Sequence, residues 1–408
     1  MLKRIASVLL VGSAAVIGLG AATAVHRGSD PGLTVHEWGT FTSVADANGL
    51  ATEWLPLGGP SDLPCFVKKD GGGILKVVPQ NDVPLNYETA KANLWGKVRM
   101  ETPVLYFYSD RDMKVDVRVD FHRGLITEFY PTPASFQPGL SANTLRDPQL
   151  RGYVAWKNVE ISPKAHPAFP TTSGESHYYA ARATDAAPLF VNDQAEKFLF
   201  YRGVASFDVP ILTEALGDTA VRVAPTRSSE PLPLVILFEN RSGKLGYTVG
   251  GSLTKPAVLR APTLTGSADG LRGELLKALV AGGLTDKEAS AMLATWRDSW
   301  FEEGTRVFYV MPPKTVNDIL PLAITPAANA VVRVFVGRQE VITPRTVKLV
   351  RDAALVGDSA TLRVYGRFLS PITDRILAAG GDAATALKIR AANKAAFDSY
   401  VGKVRSCR

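Results

Sequence analysis

Three short segments of this 408-residue chain carry residue types that could do chemistry. The first is an extended run at 34–42, in which His36, Glu37 and Trp38 are consecutive. Side chains alternate along a strand, so His36 and Trp38 should share one face and Glu37 the other. An imidazole beside a carboxylate suits general acid–base catalysis. The alternative is an edge strand with one hydrogen-bonded histidine, and Gly39 within it predicts a bulge or a close backbone approach.

The second segment, 176–182, also reads as extended, with His177 and Tyr179 on one face. A His–Tyr pair can relay protons or contact a sugar or an anion. A half-buried polar corner explains the same residues without catalysis.

The third segment, 296–304, is the last part of a predicted helix that begins at Thr285 and ends at Gly304. Trp296 and Trp300 are four residues apart and predict one packed helix face. Glu302 and Glu303 would stand at the helix C-terminus, where the macrodipole disfavours each anion by roughly 0.3–1 kcal/mol. We therefore expect compensation from a nearby arginine or a bound cation.

Together these segments predict a polar and aromatic cleft. If the sheet brings His36 and His177 within about 8 Å of each other, they could share a divalent metal ion. The nearby carboxylate would come from Glu37, Glu101 or Glu302. The candidate catalytic residues are His36, Glu37, His177, Tyr179, Glu302 and Glu303, and the candidate metal ligands are His36 and His177.

No strong catalytic motif narrows the reaction, since HExxH, CxxC, GxSxG and the Walker P-loop are all absent from the sequence. Two functions stay open. One is an enzyme of the hydrolase type, with the cleft described above. The other is a non-catalytic, envelope-associated binding or scaffold protein whose ligand is an unknown small molecule or polymer.

The N-terminus predicts export. Lys3 and Arg4 precede an uncharged apolar run at 5–20, and an A-x-A site ends at Ala24. Residues 1–24 therefore read as a signal peptide, followed by a linker at 25–32, for a periplasmic or extracellular protein. The alternative is an uncleaved membrane anchor. Cys65 and Cys407 could form one disulfide in an oxidising compartment, or both could be free thiols.

The charge is uneven. The formal net charge is +7, and residues 331–408 hold 14 Lys and Arg against 6 Asp and Glu. This basic part could contact anionic lipid or polymer, or it could be an ordinary solvated helical surface. The basic residues are scattered and not interleaved with aromatics, so no nucleic-acid partner is expected.

The pattern predicts an α+β fold. Residues 33–265 read as a β-rich antiparallel sandwich or curled sheet, with a clear strand at 115–121 and a hairpin at 231–251. Residues 266–408 read as a mixed α/β part that could pack on the same sheet. It would contain a capping box at Thr285, strands at 306–312 and 331–338, and helices at 344–356, 371–379 and 382–404.

Seven segments resemble a group of uncharacterised exported bacterial proteins. The resemblance implies export but no activity, cofactor or catalytic residue. The segments, which are spread from residue 36 to residue 344, are HEWGTFTSV (36–44), VRMETPVLYFYS (98–109), LITEFYP (125–131), SHYYAAR (176–182), EKFLFYRGV (196–204), TWRDSWFEEGTRVFYVMP (295–312) and RVFVGRQEVITP (333–344).

Overall fold

The computed structural model describes residues 30–59, 63–69, 91–137, 144–174, 176–227 and 230–401. The predicted signal peptide and Cys407 lie outside these residues. Within them the chain is an α+β protein, about 40% strand and 26% helix, with antiparallel pairing dominant and the helices mostly in the C-terminal part. The predicted fold class is therefore confirmed.

The strands form three sheets. In chain order they are β1 (Asp30–Val44), β2 (Lys68–Lys69), β3 (Val98–Ser109), β4 (Met113–His122), β5 (Gly124–Tyr130), β6 (Ser135–Gln137), β7 (Arg151–Ile161), β8 (Leu189–Val191), β9 (Gln194–Glu196), β10 (Leu199–Ala205), β11 (Ile211–Leu216), β12 (Ala220–Pro225), β13 (Leu232–Arg241), β14 (Lys244–Leu253), β15 (Ala257–Arg260), β16 (Gly304–Val310), β17 (Leu322–Thr325) and β18 (Ala328–Glu340).

The largest sheet has nine strands in the order β14-β13-β16-β18-β1-β3-β10-β5-β2. β1 lies at its centre, antiparallel to β3 and parallel to β18. The edge-strand alternative for residues 34–42 is therefore wrong. β16 and β18 also lie inside this sheet, so the chain on both sides of residue 266 builds it. Smaller sheets have the orders β17-β4-β7-β8-β9, with β6 beside β7, and β11-β12-β15.

The nine-stranded sheet is the middle layer of the molecule. On one face, Val35 and Phe41 join a core with Val117 of β4 and Val223 of β12, which packs the large sheet against the two smaller ones. On the other face, Trp38 packs in a second core with helical residues. β4 shows the predicted alternation, because Val115, Val117, Val119 and Phe121 are all buried.

The helices are α1 (Asp269–Ala281), α2 (Asp286–Thr295), α3 (Pro313–Ile319), α4 (Pro344–Val356), α5 (Ser359–Arg363), α6 (Leu369–Ala378) and α7 (Ala383–Val401). Helices α1 and α2 cover the Trp38 face of the large sheet. Helices α4 to α7 pack around a separate core that includes Val44 and Trp54. None of the helices in the described ranges is both long and apolar enough to cross a bilayer.

Candidate functional site

His36 projects from β1 toward the helical layer and pairs with a buried carboxylate of α2. Its Nδ1 lies 2.8 Å from Oε2 of Glu288, whose side chain is fully buried. The backbone N–H of Thr285 donates to the same oxygen at 2.8 Å, and the hydroxyl of Tyr108 donates to Oε1 at 2.8 Å. The predicted capping box between Thr285 and Glu288 is confirmed, and it also holds the histidine.

The electrostatics fix the role of each group. Burial alone would raise the pKa of Glu288, but the hydrogen bond and charge of His36 and the bond from Thr285 lower it below its usual value of 4.5. Burial raises the pKa of the Tyr108 phenol, which therefore stays a donor. With an ionised carboxylate as acceptor, Nδ1 of His36 is the donor in this bond, and Nε2 is the ring nitrogen that does not contact Glu288.

The basic nitrogen of His36 is open. No hydrogen bond in the described part of the chain reaches Nε2, and the side chain keeps about 10% of its exposure. The imidazole also packs against the ring of Tyr108, with the two ring centroids 5.2 Å apart. This arrangement orients an imidazole as a hydrogen-bonded carboxylate does in hydrolytic triads.

Glu37 lies on the opposite face of the sheet, as the alternation predicts. It is fully buried, accepts a hydrogen bond from the Tyr201 hydroxyl and forms an ion pair with Arg333 at 2.6 Å. Glu37 and His36 are thus neighbours in sequence but face different cores, and Glu37 holds β1, β10 and β18 together.

His177 and Tyr179 lie in a 3-10 helix, His177–Arg182, so the extended segment predicted there is wrong. Ser176 caps this helix by accepting a bond from the Tyr178 N–H. Nε2 of His177 lies 2.7 Å from Asp298 Oδ2, and the Tyr179 hydroxyl accepts a bond from the Thr172 N–H at 2.8 Å. The geometry is that of the polar corner named as the alternative.

The two histidines do not meet. His36 bonds to Glu288 near the start of α2, whereas His177 bonds to Asp298 beyond its end. Seven residues of helix separate Glu288 from the last residue of α2, which amounts to ~10 Å along the axis. Among the residues that the structure describes, no group of three or more His, Cys, Asp or Glu side chains could hold a metal ion. The shared metal site therefore has no support in the geometry.

Glu302 and Glu303 lie outside a helix, because α2 ends at Thr295 and turns follow up to β16. Glu303 accepts a bond from the Ser242 N–H at 2.7 Å. Its carbonyl oxygen accepts from Arg306 at 2.7 Å, so an arginine does stabilise this segment. Glu302 is half-buried, and its Oε2 has no hydrogen-bond partner.

Sequence reasoning missed a row of buried ionic side chains across the same sheet. Oε1 of Glu101 lies 2.6 Å from Arg367, 2.7 Å from Arg99 and 3.7 Å from Arg338. Arg306 pairs with Glu340 at 2.9 Å. Further along, Glu128 pairs with Lys91 at 2.6 Å and Arg202 at 2.7 Å. The available signal was charge within otherwise apolar strands, such as LFYRGVA of β10.

This row follows irregularities in the sheet. Register shifts fall between Trp38 and Thr40 of β1, where β1 meets β3, and next to Arg202, where β10 meets its neighbours. Thr102 of β3 has a φ of 47°, and a Cβ on Gly39 would lie 2.6 Å from the Phe335 ring. The register shift at Gly39 confirms the bulge predicted there, and such bulges redirect side chains.

Burial alone would raise the pKa of Glu101, but Arg367, Arg99 and Arg338 hold it below its usual value. Burial and the charge of Arg367 lower the pKa of Arg99 to about 9. At neutral pH Glu101 and Arg99 are therefore both charged. Several buried polar atoms beside this row have no protein hydrogen-bond partner, including Glu101 Oε2, Arg338 Nη2, Thr40 Oγ1, Trp38 Nε1 and Trp300 Nε1.

No protein-family model matches this chain, and no curated protein is significantly similar to it. The candidate site thus rests on its own geometry. That geometry offers one oriented and mostly buried imidazole, His36, and one buried polar layer around Glu101.

Proposed function

We propose that this protein is an exported enzyme of the hydrolase type in which His36 is the general base. The observation that carries the proposal is the bond from His36 Nδ1 to the buried Glu288 carboxylate, with Nε2 left open. A base must be oriented before its pKa matters, and here a fully buried acceptor orients it.

The chemistry follows from the two nitrogens. Nε2 of His36 accepts a proton from a water molecule as that water attacks the substrate, and the imidazolium that forms is stabilised by Glu288. The same proton is then returned to the leaving group. Tyr108, which donates to the other carboxylate oxygen, keeps Glu288 in place throughout.

Two lysines interact with Asp185, and one of them is the sequence neighbour of Glu288. Lys287 precedes Glu288 in α2 and pairs with Asp185 at 2.6 Å. Lys197 interacts electrostatically with both Asp185 and Lys287, and burial lowers its pKa. Asp185 offsets part of this positive charge, so the lysines alone do not select a substrate class and the test below uses three.

The test uses the chain without its first 24 residues and three chromogenic substrates: p-nitrophenyl acetate, p-nitrophenyl phosphate and a p-nitrophenyl glycoside. His36→Gln should lower kcat/KM for the accepted substrate by about 100-fold or more. His177→Gln is the matched control, because His177 also bonds to a carboxylate but at the polar corner, and it should change the rate by less than about twofold.

Melting curves of both variants check that they fold. The proposal fails if the wild type turns over none of the three substrates, or if folded His36→Gln retains wild-type activity. N-terminal sequencing of protein from the envelope fraction tests export separately, with Val25 as the expected first residue. A full-length membrane-embedded species would support the anchor instead.

The second candidate is a non-catalytic binding protein. It is favoured by the buried polar atoms without partners around Glu101, since such atoms normally have a hydrogen-bond partner. A non-catalytic role also fits four of the candidate catalytic residues, because each forms a hydrogen bond within the protein. These residues are Glu37, His177, Tyr179 and Glu303. Saturable ligand binding that survives His36→Gln, without turnover in the wild type, would favour it.

A further inference from the structure

The strand beside His36 presents only aliphatic side chains on the face that carries the imidazole. β18 runs parallel to β1, with Val332 beside His36 and Val334 beside Trp38. Neighbouring strands are about 4.8 Å apart, and paired residues point to the same face. Both valines accordingly pack in the core that contains Trp38. Ala330 comes two residues earlier in β18 and continues the same line. We call Ala330, Val332 and Val334 the aliphatic stripe.

The loop between α1 and α2 lies against this stripe. A Cβ built on Gly283 would be 2.9 Å from Cγ1 of Val332, so the loop backbone and the valine are in close contact. The same loop leads into α2, whose Glu288 accepts the bond from His36. Val332 is therefore a neighbour both of the loop and of the imidazole.

The stripe reaches solvent at its Ala330 end. Thr34 of β1 pairs there with Ala330 on one side and with Tyr108 of β3 on the other. Ala330, Val332, Thr34 and Tyr108 are all half-buried. The His36 side chain is about 10% exposed, and its Nδ1 edge contacts a fully buried carboxylate, so the exposed part belongs to the rest of the ring. Only a small group can approach the imidazole from this end.

The charged residues nearest in sequence have other partners. Arg333 follows Val332 but points to the opposite face, where it pairs with Glu37 at 2.6 Å. Lys287 pairs with Asp185 at 2.6 Å. A phosphoryl group needs cationic partners and a sugar needs several hydrogen-bonding groups, whereas the stripe offers only aliphatic surface. The surroundings of His36 therefore favour an uncharged, apolar group beside the reacting bond.

We propose that the His36 site hydrolyses esters of short, uncharged acyl groups and that Val332 limits the length of the acyl chain. This inference rests on the proposed role of His36. The water oxygen forms a bond to the acyl carbon while Nε2 takes a proton from that water. The C–O bond to the alcohol then breaks, and the alcohol receives the proton. The acyl chain lies on the aliphatic stripe, where one methylene changes selectivity by about 10–200-fold.

The test compares p-nitrophenyl acetate, butyrate and octanoate with p-nitrophenyl phosphate and a p-nitrophenyl glycoside, using the chain that lacks residues 1–24. We expect turnover of the short esters only, with kcat/KM for the acetate about tenfold or more above that for the octanoate. Val332→Ala enlarges the space beside the imidazole, so it should shift this ratio toward the octanoate by about tenfold, mainly through KM.

Val331→Ala is the matched control. Val331 is the preceding residue of β18 and is also half-buried, but it packs in the core on the opposite face of the sheet. It should change the ratio by less than about twofold. Melting curves check that both variants fold.

A binding measurement separates this inference from the hydrolytic function. Butyramide carries the same acyl group in a form that is not readily hydrolysed. It should shift the NMR signals of the His36 side chain in protein with isotope-labelled histidine, where those signals are identified by their loss in His36→Gln. Val332→Thr keeps the shape of the side chain but adds a hydroxyl, so it should weaken butyramide binding about threefold or more.

The outcomes are distinct. Turnover of the phosphate or the glycoside instead of the esters, or equal effects of Val332→Ala and Val331→Ala, would overturn this inference and leave the role of His36 intact. Absence of turnover together with butyramide binding that Val332→Thr weakens would support the apolar subsite and contradict the hydrolytic function. Absence of both turnover and binding would overturn the two proposals together.

Discussion

Replacing Arg306 by methionine should destabilise the protein strongly. Arg306 is fully buried and donates to Glu340 at 2.9 Å and to the carbonyls of Trp300 at 2.9 Å and Glu303 at 2.7 Å. Breaking a buried ion pair costs about 3–5 kcal/mol, because the remaining charge loses its partner. Burial already raises the pKa of Glu340, so its carboxylate can take up a proton and limit this cost. We therefore expect a loss of about 3 kcal/mol, the lower end of that range.

The measurement is urea unfolding at neutral pH, followed by tryptophan fluorescence. Adding Glu340→Gln to Arg306→Met should recover about 1 kcal/mol or more, since it removes the uncompensated buried charge. Arg118→Met is the matched control, because the Arg118–Asp120 pair is exposed and contributes less than about 1 kcal/mol. An effect of Arg306→Met no larger than that of Arg118→Met would refute the reasoning.

Three further outcomes can be measured. Gly337→Ala should lower stability by roughly 1–3 kcal/mol in thermal melts, because an added Cβ would lie 1.9 Å from the Tyr309 ring; an unchanged Tm would contradict this. Arg202 and Lys91 hold the pKa of Glu128 well below its usual 4.5, so its ionised form stabilises the fold fully above about pH 4.5 and loses this effect as the pH falls through the lower pKa of the folded state. The urea concentration at the unfolding midpoint should therefore decrease as the pH is lowered from about 4.5, and it should decrease less in Glu128→Gln. Cys65 is exposed, and if it pairs with Cys407, thiol titration of unreduced, denatured protein should find no free thiol.

Local patterns in the sequence were enough to predict several elements. The alternation of β4, the hairpin of β13 and β14 and the capping box of α2 each depend on residues close together in the chain. In the hairpin, Ser242 and Gly243 both have positive φ, as a two-residue turn requires. The bounds of α4 were also predicted, because Thr343 caps the helix and Gly357 ends it in the left-handed conformation.

Long-range pairing could not be predicted in the same way. β1 pairs with β18 in parallel, although its residues lie about 300 positions earlier in the chain, and nothing in its own pattern shows that it is central. The pattern of His177–Arg182 predicts a strand, because short 3-10 helices have no distinctive period. The stripe with Trp296 and Trp300 predicts a helix that continues to Gly304, whereas α2 ends at Thr295.

Only part of the candidate site could be predicted from the sequence, because its residues also come from distant parts of the chain. His36 could be singled out as an imidazole on a mixed strand face, but Glu288, its partner, lies 252 residues away. For Glu288 the sequence predicts only the helix-capping bond with Thr285. Arg338 and Glu340 lie in a segment whose sequence predicts a strand, but their burial follows only from the position of that strand within the sheet.

Capping alone does not account for Glu288. A capping-box glutamate needs to accept only the N–H at the start of its helix, which it can do at the surface. Here the carboxylate is fully buried and also accepts bonds from His36 of β1 and Tyr108 of β3. Each acceptor bond ties α2 to a different strand, so the imidazole is oriented before any ligand arrives. That is the preorganisation that the proposed general base requires.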